Sequence, residues 1–313
     1  MTQPKIGFPK LNPCRIYEIV VGKPYTDQMP SFYDTVKPYQ KWDETNDTLA
    51  FQIFVEDPTH ANTIANTVRF YNEDGDALDI FDETVIALAS FPLNGTDYSV
   101  FDYRTDFTLG GLKIPAGVYR IQINVKITVT IGGATVSESN YYSEPMYCAT
   151  SGSYPNVFKN TVKITYRHDN NNKGMIFVDP AVPTTLYTYY LRLDGGFKPE
   201  EQEHANTSED YVDQENDIEI LDATPFEIYK FYIGDGAGIP VYLMEILNCI
   251  FNIDYMLIQR LTSDYWDFGK QYVRKTGAKI EIKTDPNWGL QGGVIELVEK
   301  TTNYLNEIDY LTW

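Results

Sequence analysis

Between Ile121 and Ile131 every second residue is apolar and β-branched. Ile121, Ile123, Val125, Ile127, Val129 and Ile131 alternate strictly with polar neighbours. A period of two sends successive side chains to opposite faces, so this run predicts a long strand with one dry face and one wet face. Such a strand needs a sheet and a second apolar layer. The flanking sequence offers both, with candidate strands at Tyr39–Trp42, Thr48–Val55, Thr67–Tyr71, Thr84–Ala89, Ser99–Tyr103, Val118–Ile131, Ala134–Tyr142 and Pro145–Cys148. Asp74-Gly75, Asn94-Gly95, Gly110-Gly111 and Gly132-Gly133 fall between them, where turns need residues tolerant of positive φ. This spacing predicts an immunoglobulin-like or fibronectin-like β-sandwich over residues 39–149. It lacks the Cys…Trp…Cys pattern of antibody-type domains.

The second constraint is the stretch Pro225–Arg260, which reads as strand, glycine turn, helix and strand. Leu243, Met244, Ile246, Leu247, Ile250 and Phe251 recur at three- and four-residue steps and define one apolar face. A helix of about a dozen residues is marginal alone in water, so that face must pack on a sheet or another chain. The fold class expected is mainly β: the sandwich, then a β-rich α+β domain with one central amphipathic helix at about 239–252.

The expected organisation has five parts. Residues 1–38 are an extended proline-rich arm that reaches for a neighbour and can be deleted without unfolding either domain. Residues 39–149 are the sandwich and 150–156, TSGSYPN, a hinge. Residues 157–299 are the second domain, in which the acidic insert Lys198–Asp217 reads as a loop. Residues 300–313 are an aromatic tail that docks.

Charge narrows the function. The 313 residues carry a formal net charge of -19, which disfavours nucleic acid and anionic membrane surfaces as partners and suits a basic one. Cys14, Cys148 and Cys249 are far apart and lack CxxC spacing, which predicts neither a zinc site nor a disulfide framework. The N-terminus has no apolar run and reads as no signal peptide.

Catalytic patterns are weak throughout. Gly234-Asp235-Gly236-Ala237-Gly238 precedes the helix without the spacing or lysine of a phosphate loop, and reads as a tight turn. Asn72–Asp76 misses the calcium-loop spacing and reads as a hairpin turn. His60, His168 and His204 share no ligand spacing. The expectation is therefore a non-enzyme with no cofactor and no metal.

The 25 tyrosines admit two readings, half-exposed strands or a protein interface. Tyr141, Tyr142, Tyr304, Tyr310 and Trp313 are the candidate interface residues.

The sandwich with AGVYRIQI and YYSEPMYC, followed by KITYRHDNNNKG, YYLRLDGGF, YVDQENDIEIL and IGDGAGIPVYLMEILNCIF, resembles structural proteins of tailed bacteriophages that infect Bacteroidetes, including crAss-like phages. The resemblance covers about Trp42 to Val298. It implies a virion component of the tail, hub or baseplate, made in the bacterial cytoplasm, forming homo-oligomers and contacting other virion proteins. The alternative is a surface or receptor protein that binds glycan through Trp266, Trp288 or Trp313.

Overall fold

The computed structural model describes residues 6–18, 40–56, 62–72, 76–78, 83–93, 96–105, 108–109, 112–129, 135–171, 174–197, 203–212, 218–234, 238–260, 270–274, 277–284 and 290–299. These form a mainly β protein with two short helices. They fall into two compact units. Unit 1 comprises Met1–Lys159 with Thr165–Leu193, and unit 2 comprises Asn160–Ile164 with Asp194–Trp313.

The strands of the first half are β1 (Ile6–Gly7), β2 (Ile16–Glu18), β3 (Gln40–Asp43), β4 (Leu49–Glu56), β5 (Asn62–Asn72), β6 (Ala77–Leu78), β7 (Glu83–Leu93) and β8 (Thr96–Thr105). They continue with β9 (Thr108–Leu109), β10 (Leu112–Lys113), β11 (Gly117–Val129), β12 (Thr135–Ser143) and β13 (Met146–Ala149). Helix α1 (Pro155–Phe158) follows, then β14 (Thr161–Arg167) and β15 (Tyr189–Phe197), the two strands at which the chain changes unit.

In unit 1, one antiparallel sheet runs β1-β4-β8-β7. In the other, β11 pairs with β5 along one edge and with β12 and β13 along the other. Strand β2 extends the sheet from β12, and β3 extends it in parallel from β13. The inward residues of both sheets form one apolar cluster. Leu49, Phe51, Ile53 and Val55 of β4 share it with Ile121, Ile123, Val125 and Ile127 of β11. Those alternating β11 residues are fully buried, while Lys126 between them is exposed.

Strand β4 is buried along its length, because its outward residues are covered too. The cover is the segment 165–193, which folds with unit 1. Met175–Val178 forms no named strand, its one bridge running from Val178 to Leu186. Side chains meet much of its backbone: Ile176 N donates to Gln52 Oε1 and Gln52 Nε2 to Ile176 O, both at 2.8 Å, and Phe177 N and Val178 N donate to Asn171 Oδ1 at 2.8 Å.

The described part of the expected arm, Ile6–Glu18, lies within unit 1 itself. Leu11, Cys14 and Ile16 are buried there, and β1 and β2 pair with β4 and β12. Deleting residues 1–38 therefore removes core, contrary to the sequence expectation. Residues 150–156 hold a hydrogen-bonded turn in which Tyr154 N donates to Thr150 O at 2.9 Å, and Ser151 N donates to Asp43 Oδ1 at 3.2 Å.

Unit 2 contains β16 (Glu203–Val212), β17 (Ile218–Ile233), β18 (Ile239–Pro240), helix α2 (Val241–Ile250), β19 (Tyr255–Arg260), β20 (Lys270–Arg274), β21 (Glu281–Thr284) and β22 (Leu290–Glu299). Strand β22 takes β17 and β18 along one edge and β20 and β21 along the other. Gly234 (φ 83°) and Gly238 (φ 81°) turn the chain from β17 towards α2. A Cβ on Gly234 would lie 2.8 Å from the Cα of Gly238, so the turn requires glycine. Helix α2 buries Leu243, Met244, Ile246, Leu247 and Ile250, and Phe251 packs edge-on against Phe231 at 5.9 Å. Met244 reaches β22 at Gly293, where a Cβ would meet it at 3.1 Å.

Of the acidic stretch Lys198–Asp217 expected as a loop, Glu203–Val212 is strand β16, paired antiparallel with β17, and the rest lies outside the described residues. The strand's sequence has no apolar alternation. Its pairing is set by the partner strand.

Candidate functional site

The densest polar cluster of unit 1 surrounds Asp102 on β8. Arg104 Nε donates to its Oδ2 at 2.7 Å and Tyr189 Oη to its Oδ1 at 2.8 Å, while Gln52 Nε2 donates to Tyr189 Oη at 2.5 Å. Burial pushes the Asp102 carboxyl up from its ordinary range, and Arg104 and Tyr189 pull it back down. Burial also raises the Tyr189 hydroxyl well above its usual value. Asp102, Gln52 and Tyr189 are all fully buried. The cluster ties residues 176–189 to the outer face of β4 and β8.

A second buried pair does similar work. Arg192 meets Asp47 through Nε–Oδ2 at 2.6 Å and Nη2–Oδ1 at 2.5 Å, a two-pronged geometry. Asp47 Oδ2 also accepts from Asp43 N at 2.8 Å, tying the ion pair to the turn between β3 and β4. All three cysteines are free, and burial lifts the Cys14 thiol to about 12 and the Cys148 thiol well above its usual value. Among the described residues no group of His, Cys, Asp and Glu could hold a metal ion.

Unit 2 has a cleft of about 540 Å³ lined by Lys230, Tyr232, Lys279, Glu281, Val294 and Glu296 with the Gly277-Ala278 turn. Lys230 is already engaged with Glu203 at 2.9 Å. The cleft mixes both charges on a half-exposed sheet surface.

A long strand pair with open edges among the described residues is β16–β17. Ten register positions join them, from Glu203↔Ile228 to Val212↔Ile218, with a bulge at Glu209/Asp210. At ~3.3 Å per residue this ribbon is roughly 30 Å long. Strand β22 supports β17 only over Ile228–Ile233, and β15 only over Phe231–Ile233. Among the described residues, the second backbone edge of Ile218–Phe226 has no strand partner, and neither does that of His204–Val212. Pro225 fits this position, because a strand with one neighbour can tolerate a missing N–H. At the root, the Tyr229 hydroxyl bonds Glu227 and also Glu299 at 3.1 Å, clasping β17 to the end of β22.

The residues singled out from sequence are scattered. Tyr141 lies in the core of unit 1, 6% exposed, with its ring 4.9 Å from Phe8. Tyr142, on the opposite face, is half-buried. It accepts from Gln122 Nε2 at 2.5 Å, and Tyr71 donates to Gln122 Oε1 at 2.9 Å, a ladder across β5, β11 and β12. Tyr304, Tyr310 and Trp313 lie outside the described residues, as do Trp266 and Trp288. Sequence reasoning missed the ribbon. Its available cues were Tyr211-Val212 and Ile218–Leu221 flanking the polar run Asp213–Asp217.

No helix among the described residues is long and apolar enough to cross a membrane, which says nothing of β-strand crossings. Comparison with known protein families, curated proteins and solved structures finds no match.

Proposed function

We propose that this chain is a non-enzymatic structural protein of a bacteriophage virion, a tail, hub or baseplate component that forms homo-oligomers and grips other virion proteins. The observation that carries the assembly reading is the β16–β17 ribbon, whose two backbone edges are offered for pairing. The resemblance of the sequence to phage structural proteins supplies the virion context. In this reading the two facing sheets of unit 1 are an immunoglobulin-like module, and α2 is the packing element around which unit 2 is organised.

Light scattering on the purified chain tests this. Masses at multiples of 35.9 kDa are expected, with closed rings or sleeves in negative-stain images. A monomer at every concentration would overturn homo-oligomerisation.

The cleft on unit 2 favours a second reading, glycan binding by a surface or receptor protein, since Tyr232 lies among charged groups able to bond hydroxyls. A monomer that retains polysaccharide in this cleft would select that reading.

A further inference from the structure

We propose that the β16–β17 ribbon is a docking rail for an extended, lysine- and arginine-bearing segment of another protein, which adds to it as a third strand. The inference rests on the assembly reading and names the partner's chemistry. An isolated two-stranded ribbon is marginal in water, and three strands are the usual minimum for independent stability. Beyond Ile228 the pair has no third strand among the described residues. A strand added to either edge makes main-chain hydrogen bonds along it, the mode by which extended peptides join sheet edges.

Charge selects the occupant. From His204 to Phe226 the sequence holds seven acidic residues and no lysine or arginine. Four of them, Glu209, Asp210, Glu219 and Asp222, lie on the two strands themselves. Like charges placed opposite one another across a strand pair are destabilising, so a second ribbon from another copy is a poor third strand. Phosphate backbones and anionic lipid surfaces are repelled for the same reason. A chain with lysine or arginine at alternate positions gains both the backbone ladder and the charge pairing, and its approach is accelerated at low salt.

The test uses the full chain and three labelled peptides of equal length: alternating Lys-Thr, alternating Glu-Thr, and Lys-Thr with alternate backbone nitrogens methylated. Fluorescence anisotropy should show the Lys-Thr peptide binding at least about tenfold tighter than either control, a difference of ~1.4 kcal/mol. Binding should weaken as salt is raised, and amides of 218–226 should gain hydrogen-exchange protection when the peptide is bound. The variant Glu209→Gln/Asp210→Asn/Glu219→Gln/Asp222→Asn should lose the preference. Equal binding of the methylated peptide would overturn strand addition. No binding of the Lys-Thr peptide would overturn the proposal outright, without calling on any variant. Light scattering keeps the two ideas apart. A chain that oligomerises yet ignores the peptide loses only the rail, and a monomer that binds it loses only homo-oligomerisation.

Discussion

Strands β4 and β17 are treated in opposite ways. In unit 1 the edge of β4 is closed by the chain's own N-terminal segment. Ile6 and Gly7 pair with Val55 and Phe54, and further along Asn12 supplies a side-chain amide in place of a strand. Its Nδ2 donates to Gln52 O at 2.9 Å, and its Oδ1 accepts from Gln52 N at 2.8 Å. In unit 2, β17 runs on from Phe226 to Ile218 with β16 as its one strand partner among the described residues. Backbone groups must bond to something. Along β4 that demand is met within the chain by β1 and the Asn12 amide, whereas the second edges of His204–Val212 and Ile218–Phe226 have no strand partner among the described residues.

The largest effect should come from reopening the closed edge. Deleting residues 1–18 removes β1, β2, the Asn12 amide and the buried Leu11, Cys14 and Ile16. Unit 1 should then lose its cooperative transition in urea and its near-ultraviolet circular dichroism. A truncated chain that melts like the full one would show that the edge needs no cover.

Next comes the ion pair. Asp47→Ala leaves the Arg192 guanidinium buried at 1% exposure without its carboxylate. Breaking a buried pair from one side costs about 3–5 kcal/mol. The midpoint of urea unfolding should fall accordingly, whereas a loss under 1 kcal/mol would mean that water replaces the carboxylate.

A pH-dependent effect of similar or smaller size is expected at Glu144, beside the β2 edge. Its backbone N donates to Arg15 O at 3.0 Å, and its carboxylate lies 3.8 Å from Arg15 Nη1. Burial lifts the carboxyl from 4.5 to about 7, while Arg15 and Arg120 pull it down. The folded chain thus holds this proton more tightly than the unfolded one. The resulting stabilisation is full below pH 4.5 and is lost as pH rises through about 7. Across that window unfolding should become easier by at most about 3 kcal/mol. Glu144→Gln should flatten the profile, and an unchanged slope would assign the pH dependence to other groups.

How legible this was depends on where each element's cause lies. The period-two run of β11 was readable because burial of one face is written into its own residues; Ile121 to Ile127 are dry and Lys126 is exposed. The apolar steps Leu243, Met244, Ile246, Leu247 and Ile250 coincide with the buried face of α2 for the same reason. Tyr141 and Tyr142 could not be told apart as a pair, but strand alternation sends one into the core and leaves the other half-buried. The adherence of 165–193 to unit 1 was invisible, because it rests on the Gln52 side chain across more than a hundred residues. The ribbon was illegible in another way. Polar composition argues for a loop, and only the register with β17 makes Glu203–Val212 a strand.

The smallest effect separates the two edges most sharply. Neutralising Glu209, Asp210, Glu219 and Asp222, all on the part of the ribbon beyond the pairing with β22, should move the unfolding free energy by no more than about 0.5 kcal/mol. The sign should be favourable at low salt, where mutual repulsion along the ribbon is least screened, and should vanish at high salt. Urea titrations at two ionic strengths measure this. A loss of several kcal/mol would mean that these carboxylates bond within the chain, as Asp47 does, and that the ribbon is one more internally closed edge. Near-neutrality for folding, together with loss of basic-peptide binding, is the combination that only an edge kept for a partner should give.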